Sequence, residues 1–141
     1  MKLDIYPFEK ALAQLEKSLE YLHSDLARQD AGLREQFRAA TIQAFEFSYE
    51  LGTKMLRRQL EQIAANPAEI REMVFMDMIR TGAEAGLVRH VPNYRVYREK
   101  RNMTSHAYDE AKAEEVLAVL GDFLTEMLFL RDELQRRNAD A

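Results

Sequence analysis

From Leu33 to about Ala65 apolar side chains recur every three or four residues, at Leu33, Phe37, Ala40, Ala44, Phe47, Leu51, Met55, Leu56 and Leu60. A run of that length and spacing predicts an α-helix with a wide apolar stripe, since a strand would need alternation with period two. Such a helix must be covered on several sides, which puts it near the centre of a helical bundle. The rest of the chain supplies the cover. Phe8, Leu12, Leu15, Leu19, Leu22 and Leu26 form a narrower stripe. They predict a first helix over about 7–27 that packs antiparallel on the long one through the break at Asp30-Ala31-Gly32. Asn66-Pro67-Ala68-Glu69 is a helix start, with Asn as N-cap, Pro at the first helical position and Glu three residues after the cap. A third helix should run from there to about Ala85, with Gly86 as its stop. Val91-Pro92-Asn93 restarts the chain into a fourth. A fifth is expected from about Asp109 to Gln135 on Val116, Leu120, Phe123, Met127, Leu130 and Leu134. Leu117, Leu124 and Leu128 lie beside that seam and ask for an enclosing bundle or a dimer interface.

The expectation is therefore all-α: an up-and-down bundle of about five helices with a four-helix core, one domain over 1–135 and a frayed tail over 136–141. Composition agrees, because 47% hydrophobic and 31% charged residues with only five Gly and three Pro favour helix. The absence of cysteine excludes disulfides and thiolate metal sites. His23 and His90 stand alone, with no second ligand at metal spacing, so no metal and no cofactor is expected. Met1-Lys2-Leu3-Asp4-Ile5-Tyr6-Pro7 does not read as a signal peptide, and no stretch approaches the roughly 18 apolar residues of a membrane span, so a cytoplasmic protein is expected. The net charge of −4 disfavours a large non-specific nucleic-acid binder but averages over patches. One such patch runs from Arg89 through Arg95, Arg98 and Lys100 to Arg101, against the single acid Glu99, with His90, Tyr94 and Tyr97 interleaved.

The patch leads into Arg101-Asn102-Met103-Thr104-Ser105-His106-Ala107-Tyr108. Here a cation that keeps its proton precedes the side chain that titrates near neutrality, which suits metal-free chemistry at a phosphodiester. In that chemistry a ribose 2′-hydroxyl attacks the adjacent phosphate, His106 acts as base or acid, Arg101 stabilises the added charge, and Asn102 orients the imidazole or the phosphate. The same groups equally suit binding a nucleotide without cleaving anything. Residues five apart on an ideal helix differ by about 140° in direction, so Arg101 and His106 converge only at a helix end or across a two-fold axis. Asn102 and His106 share one helix face; Arg101, Ser105 and Tyr108 share another.

Glu46 and Glu50 are four apart, and Glu46 is expected to reach a basic residue of the fourth helix and orient it rather than to hold a metal. Lys54 is expected to pair with Glu50. Arg95, Arg98 and Ser105 are candidate RNA contacts. Tyr94 and Tyr97 stand between base stacking and core packing, with at least one expected in the core. Met73, Met76, Met78 and Met103 read as adaptable fillers.

Three segments, in order, resemble the nucleotidyltransferase substrate-binding family, the HepT-like branch of the HEPN superfamily. They are Phe45-Glu46-Phe47-Ser48-Tyr49-Glu50-Leu51 with Lys54, Ile79-Arg80-Thr81-Gly82-Ala83-Glu84-Ala85-Gly86-Leu87-Val88, and Arg101 to Asp109. Members often carry a Trp ahead of the last segment; this chain offers Tyr94, a departure expected to alter packing rather than chemistry. The resemblance implies a homodimeric bundle working with a separate minimal nucleotidyltransferase. It implies a metal-independent endoribonuclease toxin whose motif Arg and His are Arg101 and His106, silenced when the partner adds adenylate to the motif tyrosine, Tyr108. The family's older description implies instead a non-catalytic subunit in which Arg101, His106 and Tyr108 hold or receive a nucleotide. The toxin reading is preferred, with RNA or a nucleotide as ligand in either case. No Gly-Ser nucleotidyltransferase signature occurs, so transfer itself needs the partner.

Overall fold

The computed structural model describes residues 2–139. Within them follow α1 (Tyr6–Leu22), α2 (Asp25–Gln29), α3 (Ala31–Ile63), α4 (Pro67–Glu72), α5 (Phe75–Glu84), α6 (Val91–Met103), a 3-10 turn (Thr104–His106), α7 (Glu110–Leu117) and α8 (Leu120–Arg137). The fold is all-α, as expected, but three of the five expected helices are each broken in two.

Each break differs in origin. Ser24 ends the first segment: its hydroxyl donates to Tyr21 O at 2.6 Å and accepts from Ala27 N at 3.4 Å, closing α1 and capping α2. The third segment is cut from outside. The Arg57 guanidinium of α3 donates to the carbonyls of Ile70 and Met73, the latter at 3.5 Å, satisfying carbonyls that a continued helix would have bonded itself. Val74 then turns extended before α5 begins. In the fifth segment a tightened turn, with Val119 N donating to Val116 O at 3.2 Å, offsets α8 from α7.

The start and stop signals operate as their chemistry dictates. Asp30 caps α3 by accepting from Gly32 N and Leu33 N at 2.9 and 3.1 Å, and Asn66 caps α4 through Ala68 N at 3.1 Å. Gly86, at φ 79°, closes α5: Leu87 N reaches Gly82 O at 2.8 Å while Gly86 N reaches Ala83 O at 3.1 Å.

α3 packs against α1, α2, α4, α5, α6, α7 and α8, the central position its wide stripe predicted. α1 runs antiparallel to it, with Tyr21 beside Phe37 at 5.4 Å between ring centroids and Phe8 beside Gly52. A Cβ on Gly52 would stand 3.0 Å from both the Met127 sulfur and the Phe8 ring, so this glycine sets how closely α1 and α8 approach α3. Most of the buried apolar residues form one cluster. Its aromatic centre is a chain of edge-on rings, Phe45 to Phe123 at 4.8 Å, Phe123 to Tyr97 at 5.1 Å and Tyr97 to Tyr94 at 5.4 Å. Truncating a ring such as Phe123 to alanine costs about 3–5 kcal/mol in a core of this kind.

The expected frayed tail is a correction in part. Arg136 and Arg137 complete α8, and Arg137 donates to Ala85 O at 2.7 Å. Asn138 ties the chain ends together, accepting from Leu3 N at 3.0 Å and donating to Gln59 Oε1 at 2.9 Å. Residues 140–141 lie outside the described residues. Among the described residues no helix is long and apolar enough to cross a membrane.

Candidate functional site

α6 buries Tyr94 and Tyr97, and the half-buried Arg101 and, in the turn that follows, the buried Thr104 continue that face at three- and four-residue spacing. Tyr94 and Tyr97 are each 1% exposed, so neither can stack a base; both belong to the core, which corrects the stacking alternative. Burial raises both phenols above their ordinary pKa, and the hydrogen bond to Asp122 adds to the rise at Tyr97. Arg101 continues this inward stripe, and it therefore meets α3 while staying partly open to solvent.

Its guanidinium lies between two carboxylates. Nη1 stands 3.2 Å from Glu46 Oε2 and donates to Thr104 Oγ1 at 3.1 Å, while Nη2 donates to Glu50 Oε1. Thr104 Oγ1 lies 3.2 Å from Glu46 Oε2 and 2.7 Å from Arg101 O, so one hydroxyl proton serves both acceptors. The buried Nε has no partner among the described residues. Glu46 does reach a basic residue of α6. Glu50 pairs with Arg101 and not with Lys54, which corrects the helix pair expected from their spacing. Thr104 was assigned no role from the sequence; its position on the buried stripe was the signal for it.

α6 ends at Met103, and the 3-10 turn of Thr104–His106 supplies the helix end that convergence requires. Ser105 and Asn102 are exposed, joined by a bond from Ser105 Oγ to Asn102 O at 3.3 Å. His106 is exposed and stands edge-on to Tyr108 with 6.1 Å between ring centroids. No hydrogen bond links Arg101 and His106 among the described residues; the first faces α3 and the second faces Tyr108. Because the helix stops between them, Ser105 and Tyr108 do not extend the Arg101 face. Asp109 closes the loop as N-cap of α7, accepting from Ala111 N and Lys112 N at 2.9 and 3.3 Å.

Tyr108 is 86% exposed and leans over the first turns of α3. It borders two shallow clefts of about 290 and 320 Å³, whose walls share Glu35 and Arg38. Arg34 clasps Glu114 with two bonds of 3.1 and 2.9 Å, and Arg38 lies 3.4 Å from Glu114 and 3.6 Å from Glu110. The hydrogen bond from Arg34 holds the Glu114 carboxyl below its ordinary pKa. The basic run leading into and along α6 is dispersed rather than gathered on one face. Arg89 lies over the Phe129 ring and 3.3 Å from the buried Glu126, Arg98 lies over Phe75, and Arg95 is exposed. His90 also reaches Glu126, with Nδ1 at 2.7 Å. Among the described residues no group of three or more His, Asp or Glu is disposed to hold a metal ion.

The fold is an all-helical bundle, and residues 3–136 of it match the model of one protein family. The chain belongs to the nucleotidyltransferase substrate binding protein-like family. It is 37% identical over 139 residues to the probable ribonuclease HepT of Haemophilus influenzae, covering 97% of this chain and 95% of that one. It is also similar to the solved structure of HI0074 from Haemophilus influenzae, described as the fold of a substrate binding domain of a nucleotidyltransferase. The TM-score is 0.89 at 35% identity, over 94% of this chain and 99% of that one.

Proposed function

We propose that this chain is a HEPN-type toxin, a metal-independent endoribonuclease paired with a separate minimal nucleotidyltransferase that silences it by adding a nucleotide to Tyr108. The observation that carries the reading is the pairing of an exposed Tyr108 with His106 on a turn released from α6, beside an Arg101 held in place by Glu46, Glu50 and Thr104.

In this mechanism the imidazole of His106 accepts the proton of a ribose 2′-hydroxyl as its oxygen attacks the adjacent phosphorus. The 5′-oxygen leaves and takes up a proton, giving a 2′,3′-cyclic phosphate and a 5′-hydroxyl end. Arg101 faces the negative charge that develops on the phosphoryl oxygens, while Glu46 and Thr104 fix its direction. Asn102 orients the imidazole or the phosphate, and Ser105, Arg95 and Arg98 contact the strand. The acid for the leaving group comes from a second copy across a two-fold axis, which makes the active form a cytoplasmic homodimer. In the silencing step the Tyr108 oxygen bonds to the α-phosphorus of a nucleoside triphosphate, the phenol loses its proton and pyrophosphate leaves. The attached phosphate then repels the RNA backbone at the motif, beside His106. The probable ribonuclease HepT supports this reading by its name, and this chain matches 95% of its length.

The second reading, a non-catalytic subunit that binds substrate for the nucleotidyltransferase, is favoured by one observation: Glu46 and Glu50 already compensate the Arg101 charge. Incubating RNA with the purified protein in EDTA, with intact mass confirming unmodified Tyr108, separates the two. A ribonuclease cleaves in the chelator and loses cleavage in both Arg101→Ala and His106→Ala while each variant keeps its helical circular dichroism. A binding subunit leaves every RNA intact in all three forms.

A further inference from the structure

Along α3 the charge changes sign. Glu46 and Glu50 face Arg101, and one to two turns further on come Thr53, Lys54 and Arg57. There α3, α5 and α6 enclose an open groove of about 480 Å³, within the roughly 300–1,000 Å³ of small-ligand sites. Lys54, Arg57 and Arg98 line it together with Tyr49, Thr53 and Phe75, and among the described residues no carboxylate does.

We infer that this groove holds a nucleoside-phosphate unit of single-stranded RNA next to the bond cut at the motif, which rests on the ribonuclease reading above. The walls divide the work a nucleotide requires. Arg98 is held over the Phe75 ring at 4.9 Å, so its guanidinium is both a phosphate donor and a flat platform for a base. Phe75 and Tyr49 stand 6.2 Å apart with a 31° angle between their planes, adding aromatic surface beside it. Arg57 is fixed on the Ile70 and Met73 carbonyls and contributes charge without swinging away. Lys54 is exposed and has no ion-pair partner among the described residues, so its ammonium is available to a phosphate. Burial raises the Tyr49 phenol pKa against the opposing pull of Arg98 and Arg101, which leaves it a donor at neutral pH.

Position argues for the strand rather than a free nucleotide. Arg98 precedes Arg101 by one helical turn, about 4.5 Å of rise, so the groove lies within a turn of the guanidinium at the cutting site. A chain of phosphates lying along α6 meets Arg101 and then Arg98 and Lys54. A free nucleoside triphosphate has the same chemistry and must be tested as the other source.

The experiment is fluorescence anisotropy of a labelled single-stranded oligoribonucleotide, 2′-O-methylated so that it lacks the attacking hydroxyl. It is titrated with the unmodified protein in EDTA at several salt concentrations, with ATP as competitor. Lys54→Glu should weaken binding by about tenfold or more. Lys54→Ala should reduce the slope of log affinity against log salt by about 0.7. Phe75→Leu should weaken it by roughly fivefold or more, and millimolar ATP should leave the oligonucleotide bound. Circular dichroism checks that each variant folds. Parent affinity in Lys54→Glu and Phe75→Leu overturns the inference, as does an oligonucleotide that fails to bind. ATP binding that depends on Lys54 and displaces the strand reassigns the groove to free nucleotide and overturns it too. Cleavage of natural RNA, run in parallel, keeps the two readings apart. Groove variants that bind and cleave like the parent remove the groove and leave the ribonuclease. Strand binding that depends on Lys54, with no cleavage by the parent, keeps the groove and removes the ribonuclease.

Discussion

Beside Tyr108, Arg34 and Arg38 pair with Glu110 and Glu114, whereas in the groove between α3, α5 and α6 Lys54, Arg57 and Arg98 pair with no carboxylate among the described residues. Both hollows lie along one helix, with the motif between them. Counting cations alone makes them look alike. Their difference lies in where each positive charge is already spent: in the first it fastens α3 to α7, and in the second it is open to an incoming anion. A basic residue near a motif therefore says little until its partner is known.

The contrast can be broken most directly through RNA affinity. Lys54→Glu should cost about tenfold in affinity for the 2′-O-methylated strand, while Arg34→Ala should stay within about twofold. Equal losses by anisotropy would mean that pairing does not decide availability. Stability should move the opposite way. Arg38 is only 12% exposed at its side chain, so Arg38→Ala removes packed stem as well as two ion pairs and should lower unfolding free energy in urea by about 1 kcal/mol. Lys54→Ala should stay within about 0.5 kcal/mol.

Acid unfolding sharpens the same distinction. Glu114 is held low in the folded chain by Arg34, so the unfolded state binds the extra proton first. The stability this pair contributes is full above the ordinary glutamate pKa of about 4.3 and is lost as pH falls through the lowered folded value. Glu114→Gln should flatten the acid limb of a pH series of urea midpoints, and Lys54→Ala should leave that limb unchanged. The smallest effect is expected at Glu50, more than half exposed. Glu50→Gln frees Nη2 of Arg101 and should raise strand affinity by no more than about fivefold, read in the same titration.

Much of the bundle could be read from spacing and caps. The α3 stripe, the Asn66-Pro67 start and the Gly86 stop depend on neighbours within a few residues, and each operates locally. The break after α4 could not be read, because the group that ends it, Arg57, arrives from α3. The motif showed its residue types but not its electrostatics. Glu46 lies 58 positions from Thr104, and Arg34 lies 80 from Glu114, so nothing in local sequence joins them. Glu50 and Lys54 teach the converse: a good helical pair on paper yields when a guanidinium from another helix offers two carboxylates a shared partner. The groove was hidden for the same reason, being assembled from three helices around residues that look ordinary one at a time.

The uninterrupted length of α3 makes it a measuring rod. Arg38 beside Tyr108 and Lys54 in the groove are sixteen residues apart on one helix, a separation of about 24 Å that thermal motion of loops cannot change. A nucleotide attached at Tyr108 would sit towards the Arg38 end of that rod, and Lys54 stands at the other. Control at that tyrosine would then block the place of cutting and leave the strand's resting place open, so a silenced molecule could still hold the RNA it no longer cuts.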